Sequence, residues 1–330
     1  MTRNLKEFVN HNIDLATCPG FGGDRHVAIL LAHYNGNAHL GEQLASLAAQ
    51  THRDWSLILS DDGSSDGWLA TAEGFAHAHP AHRVSRVEGP RQGSAQNFLR
   101  LLVCAGPTVP YAAFCDQDDV WLPWKLEAAL AALAQVEPSR PALYCARTMV
   151  CDRDLSPLHP SPLFRRPPGF RNALVQSIAG GNTMVLNRVA LDLLQDTAQH
   201  AKAVVAHDWW AYQIISGAGG RILYDPKPRV LYRQHAKNQI GANNSARARV
   251  KRVRQLLQGR FRAWNATNIA ALCCARHWLT PDAREVLLWI QDVRTGPLHR
   301  RIFALCRSGI YRQSWQGQVA LWVATLLRKI

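Results

Sequence analysis

Asp116, Asp118 and Asp119, with Gln117 between them, follow directly on the apolar run Tyr111-Ala112-Ala113-Phe114-Cys115, so carboxylates are delivered where a buried strand reaches the surface. Oxygen ligands on such an edge suit Mg²⁺ or Mn²⁺, which use one or two carboxylates and complete their shell with water and substrate phosphate. Asp116 and Asp118 are the expected ligands, and the expected substrate carries phosphate. A second apolar run, Trp55-Ser56-Leu57-Ile58-Leu59-Ser60, ends in Asp61-Asp62-Gly63-Ser64-Ser65-Asp66. Adjacent carboxylates repel and need a cation or a donor, whereas Asp66, just ahead of Trp68, reads as a helix cap. An ionised Asp61 or Asp62 only accepts hydrogen bonds, so it selects a base that presents an N–H, as uracil and thymine do and cytosine does not.

Asp208 lies between His207 and the indoles of Trp209 and Trp210. It reads either as an N-cap or, with burial raising its proton affinity, as a general base. The two indole faces offer a stacking surface for sugar rings. In Tyr232-Arg233-Gln234-His235 the imidazole of His235 suits either metal ligation or phosphate binding, with Arg233 as a charge clamp beside it. The sequence has no P-loop, no Gly-x-Gly-x-x-Gly after the first strand and no Gly-x-Ser-x-Gly, which removes the usual signatures of nucleotide hydrolysis, dinucleotide redox chemistry and serine hydrolysis.

The elements that position these residues alternate. Strands are expected over 27–31, 55–60, 84–87 and 111–115, and helices over 38–49, 68–77, 94–104 and 123–135, a βαβαβαβα pattern that calls for a mostly parallel α/β sheet flanked by helices. A further strand is expected over 143–149, then an exposed, mobile Pro- and Arg-rich loop over 156–169 and a turn at Gly180-Gly181-Asn182 ahead of a strand at 183–186. A helix follows over 207–216, then two short strands at 221–224 and 229–232, and helices alone from 244 onward. The expected division is an N-terminal extension, 1–26, a catalytic domain, 27–243, and a basic, amphipathic helical region, 244–330.

With 330 residues, 47% of them hydrophobic, the chain has material for a large core. No apolar stretch reaches the roughly 18 residues of a membrane span, and the polar N-terminus has no signal-peptide core, so a cytoplasmic location is expected. The eight cysteines lack zinc or disulfide spacing. Net charge is +14, with seven arginines and lysines between 247 and 262. No nucleic-acid motif accompanies them. A solvated helix face and contact with anionic headgroups at the inner face of the membrane both fit that stretch.

Seven ordered motifs, from the Val27 strand through His33-Tyr34-Asn35-Gly36, Gln50-Thr51, Asp61-Asp62-Gly63-Ser64, Asp116-Gln117-Asp118-Asp119 with Trp121, Gly180-Gly181-Asn182-Thr183 and His207-Asp208-Trp209-Trp210 to Tyr232-Arg233-Gln234-His235, resemble the family 2 glycosyltransferases of GT-A, Rossmann-like fold. The match looks closest to the rhamnosyltransferase-like branch that builds bacterial surface polysaccharides, and residues 301–330 look like that branch's tail. The resemblance implies inverting transfer from a dTDP- or UDP-sugar to a glycan or lipid-linked acceptor, with Asp208 as base. It implies that Tyr34, Asn35, Asp61 or Asp62, Arg91, Asn97 and Gln117 hold the donor with metal-bearing Asp116 and Asp118, and that Gly181, Asn182, Trp209, Trp210 and Arg233 border the acceptor. Two rivals are a sugar-phosphate nucleotidyltransferase, for which Asn35-Gly36-Asn37 is too short and uncharged a triphosphate loop, and a non-catalytic basic module for lipid or nucleic acid, which leaves the acidic motifs unexplained.

Overall fold

The computed structural model describes residues 23–201, 203–234 and 259–330. They form one nine-stranded sheet of β1 Val27–His33, β2 Trp55–Asp61, β3 Val84–Glu88, β4 Tyr111–Asp116, β5 Val120–Trp121, β6 Ala142–Cys151, β7 Pro157–Pro160, β8 Val185–Asn187 and β9 Arg221–Arg233. The order is β3-β2-β1-β4-β8-β6-β9-β5, with β7 on β6. The first four strands pair in parallel, as short apolar runs joined by helical crossovers require. Beyond β4 the sheet is mixed: β8 runs antiparallel to β4 and β6, β9 parallel to β6, and β5 antiparallel to β9.

The helices are α1 Asn37–Ala48, α2 Trp68–Ala78, α3 Ser94–Cys104, α4 Lys125–Leu133, the single turn α5 Phe170–Ala173, α6 Arg188–Ala198, α7 His207–Gly217, α8 Arg260–Cys274, α9 Pro281–Thr295, α10 Leu298–Ser308 and α11 Trp315–Leu326. Because side chains alternate across a strand, Val27, Ile29 and Leu31 pack with residues of α1, α2 and α4. Ala28 and Leu30 pack instead into a second cluster with residues of α3, α6 and α7. Covered on both faces, β1 has no solvent-facing side among residues 27–31, which is why it reads as a continuous apolar run rather than an alternation.

That second cluster runs on through Leu272, Val286, Ile290, Leu305 and Leu321, so the C-terminal helices share a core with the sheet. Arg171 grips both carboxylate oxygens of Asp282 at 2.7 and 2.8 Å, and Gln313 bonds to Arg166, Asn172 and Gln176. No described helix is long and apolar enough to cross a membrane.

Three local expectations differ from what forms. The segment 156–169 is exposed as expected but is not all loop, since it carries β7, and Arg147 donates to its Ser161 carbonyl. The two strands expected at 221–224 and 229–232 are one strand, β9, whose register with β6 shifts around Asp225-Pro226-Lys227-Pro228. Prolines at an irregular register give up no ladder bonds, so their usual breaking signal misleads here. The sequence reading assigns no element to residues 188–198, where α6 forms behind Asn187. The Asn187 side chain accepts from Ala190 N at 3.0 Å and from Ala142 N at 2.9 Å, and it donates to the Arg140 carbonyl at 2.8 Å.

That amide joins a helix start to two strands. Asn187→Ala is expected to lower stability by about 2 kcal/mol, roughly one for the lost cap and one for the orphaned Ala142 N–H. An unchanged urea midpoint would mean that neither bond contributes.

Candidate active site

The register of the parallel strands fixes where the acidic loops emerge. His33 at the end of β1 lies opposite Asp61 of β2, Ala32 lies opposite Asp116 of β4, and Asp61 lies opposite Glu88 of β3. The loops at 34–36, 61–66, 89–93 and 116–119 therefore rise from the carboxyl edge of one sheet, where open α/β sheets bind their ligands.

The loops fasten one another. Asp61 accepts from the backbone and hydroxyl of Ser64. Asp62, buried, takes Arg91 N on one oxygen at 2.6 Å and Gly93 N on the other at 2.7 Å. Asn35, at φ +45°, accepts from Ser65 N. Asp66 caps α1 by accepting from Asn37 N at 2.7 Å, rather than α2 as its position ahead of Trp68 suggests. The Gln117 amide accepts from Tyr34 N at 2.7 Å and donates to the Tyr34 carbonyl at 3.1 Å, which fixes that backbone while the Tyr34 ring stays 56% exposed. A Cβ at Gly36 would lie 2.1 Å from the Gln117 side chain, so a larger residue there would push the amide off Tyr34. Asn97 sits behind the loops, fully buried, exchanging hydrogen bonds with Ser60.

The carboxylates meet at the centre. Burial, then the charges of Asp119, Asp118 and Asp208, holds the Asp116 carboxyl well above the usual range, so these four groups share one field. Asp119 is pushed up to about 7 by burial and by Asp118, against the pull of Asn182 and Arg233. Burial pushes Asp208 up to about 6, at the start of α7, where it accepts from Gly181 N at 3.1 Å and Trp209 N at 2.6 Å. Next to it His207 stacks on Phe98 at 3.6 Å and is held neutral, its pKa driven by burial to about 3. Gly181 must lack a side chain, because a Cβ would lie 2.2 Å from His207 Nε2.

Several residues expected to touch substrate serve the scaffold instead. Trp210 is fully buried and Trp209 is 6% exposed, its indole N–H donating to the Ala173 carbonyl, so neither presents a face to a sugar. Arg233 is 3% exposed, and its guanidinium binds the carbonyls of Asp118 and Arg153 and the carboxylate of Glu42, while its N–H reaches Asp119. It shapes the acidic loop and has no free edge for an acceptor. The Asn182 amide is turned inward onto Asp119, so it joins Gly181 in bracing the cluster. His235 lies outside the described residues.

The sequence reading misses Lys125. It is fully buried with no hydrogen-bond partner, its ammonium is 3.0 Å from the Trp121 ring centroid, and burial lowers its pKa to about 7. Its charge couples to Asp116 and Asp119 from beneath the loop. The available signal was a lysine heading the buried stripe of α4, with Ala129 and Leu133 below it.

No described donor reaches the Asp116 carboxylate, and Asp116 and Asp118 are hard oxygen donors, so the pair fits a divalent cation. Among the described residues no group of three or more His, Cys, Asp and Glu has metal-holding geometry. Any further ligands come from outside these residues, from water or from substrate.

Residues 28–190 match the sequence profile of Glycosyl transferase family 2. The chain is 29% identical over 252 residues to the dTDP-rhamnosyl transferase RfbG of Shigella flexneri, a span covering 73% of this chain and 83% of that one. It is 24% identical over 110 residues to the UDP-Glc:alpha-D-GlcNAc-diphosphoundecaprenol beta-1,3-glucosyltransferase WfgD of Escherichia coli, covering 33% and 42% of the two chains. S. aureus TarS 1-349 in complex with UDP superposes with a TM-score of 0.53 at 17% identity, over 92% of this chain and 80% of that one, a likeness of fold. With acidic loops gathered at the carboxyl edge of a GT-A sheet, the chain carries a family 2 glycosyltransferase domain and is a glycosyltransferase.

Proposed function

We propose that the protein transfers a sugar, with inversion, from a dTDP- or UDP-linked donor to a hydroxyl of a glycan or lipid-linked acceptor in bacterial surface polysaccharide synthesis. The observation that carries this reading is the pairing of a proton-hungry Asp208, held by the Gly181 and Trp209 backbone, with Asp116, whose carboxylate no described donor reaches, in one field of charge. A dTDP donor is further supported by the likeness to the dTDP-rhamnosyl transferase of Shigella flexneri.

Asp116 and Asp118 are the residues that would hold Mg²⁺ or Mn²⁺, and a bound cation supplies Lewis-acid neutralisation of the departing diphosphate. The Tyr34 ring, exposed on a backbone locked by Gln117, is the surface on which the donor base stacks. Asp208 takes the proton of the acceptor hydroxyl as its oxygen bonds to the anomeric carbon. The bond from that carbon to the phosphate oxygen breaks, and its electron pair leaves with the nucleoside diphosphate. Asp208 acts in its ionised form, so burial that raises its pKa also strengthens it as a base near neutrality.

Asp208→Asn is expected to keep donor binding, to lose a little stability because one amide oxygen replaces the two that accept from Gly181 N and Trp209 N, and to lose turnover by roughly 10²–10⁴-fold. The parent enzyme should lose activity as pH falls through about 6 or below, where Asp208 becomes protonated, and the variant should lack that limb. A fully active Asp208→Asn enzyme would remove Asp208 from the chemistry. Gly181→Ala tests the brace: the turn must move away from His207, so turnover should fall about ten-fold or more with the donor KM little changed. An equal loss in donor affinity would place Gly181 with the donor instead.

A further inference from the structure

The outer face of α11 is apolar where a solvated helix would be polar. Trp315, Val319, Val323, Leu326 and Leu327 follow one stripe and are 73, 53, 43, 46 and 51% exposed, while Leu321, Ala324 and Thr325 turn inward. Neighbouring α10 is tied to α11 by Arg301, whose guanidinium donates to the Thr325 carbonyl at 2.7 Å, and it adds exposed Leu298, Ile302 and Phe303. A run of exposed apolar side chains of this extent marks a docking surface rather than ordinary scatter.

Its charge points to one occupant. From Val293 to Ile330 the sequence has no acidic residue but carries Arg294, Arg300, Arg301, Arg307, Arg312, Arg328 and Lys329. Arg300, Arg307 and Arg328 are exposed. A cleft of about 500 Å³ opens at the start of α11, lined by Arg166 and Arg312 together with Trp315, Val319 and Trp322. At 12 residues α11 is too short to span a bilayer, which needs about 20. A short apolar helix with an exposed tryptophan at one end and an exposed aliphatic stripe, in a stretch of chain whose only charges are basic, is suited to lie in a lipid interface.

We infer that α11, supported by α10, seats the protein on an anionic membrane surface, its apolar stripe among the acyl chains and the exposed arginines against headgroup phosphates. None of the residues named for this surface belongs to the basic stretch at 247–262, of which only residues 259–262 are described. It goes beyond the transfer reading and does not depend on it, because vesicle binding needs neither donor nor acceptor.

The test is sedimentation of the full chain with vesicles of phosphatidylcholine alone and with added phosphatidylglycerol. Binding is expected only to the anionic vesicles and should weaken as salt rises. Val319→Glu with Val323→Glu, both exposed, should leave the thermal midpoint intact and weaken binding by about ten-fold or more. Arg300→Glu with Arg328→Glu should weaken it on anionic vesicles with the stripe intact. Absence of binding to anionic vesicles, or binding that both double variants leave unchanged, would overturn the proposal. So would a concentration-dependent dimer abolished by the stripe variant without vesicle binding, which would assign the face to a second copy of the chain.

Discussion

Carboxylates crowded into a space with little water repel one another, and the rest of this site is arranged around that repulsion. Two unit charges about 4 Å apart oppose each other by about 4 kcal/mol at a near-surface dielectric. Asp119, Asp118 and Asp208 all act on Asp116, and Asp118 acts on Asp119. Asp119 is settled by the Asn182 amide and the Arg233 backbone. Lys125 adds a positive charge from below, at the cost of burying an ammonium with only an indole face beneath it. The Arg233 guanidinium joins the acidic loop to α1 and to the turn after β6. What these groups leave unbalanced is Asp116, and in the proposed reading a cation and its diphosphate complete it.

The neutral neighbours obey the same constraint. His207 beside Asp208 could have been a counter-charge, yet its stacking on Phe98 and edge contact with Phe114 keep the ring dry and neutral. Asp208 is thus held by backbone N–H groups rather than by a positive side chain, which leaves its proton affinity raised. A salt bridge at that point would lower it and weaken the group as a base. Gly181 follows from this arrangement, since only a residue without Cβ brings its N–H to Asp208 while passing over the imidazole.

Much of the catalytic half was legible because parallel strands covered on both faces leave continuous apolar runs, and loops at their carboxyl ends leave acidic clusters. The four strands from Val27 to Asp116 and their helices appear where the pattern puts them. The pattern could not tell the role of a polar residue from its type. Trp209, Trp210 and Arg233 have the chemistry of ligand contacts, and what makes them scaffold is burial by α5, α8 and the turn after β6, elements far away in sequence. Asp62 illustrates the converse: its pairing with Asp61 signalled a need for donors, and the donors are the backbone of residues 91 and 93. Lys125 was hidden because a lysine at the start of an amphipathic helix ordinarily points to water.

The central claim, that the unbalanced Asp116 field accepts a nucleoside diphosphate together with a divalent cation, is tested most directly by calorimetric titration of UDP and dTDP into the intact protein with Mn²⁺ and again with a chelator. The account predicts binding with the cation and its loss, or a weakening of about a hundred-fold or more, without it. Equal affinity in both titrations would contradict it, and the role of Asp116 would have to be sought elsewhere.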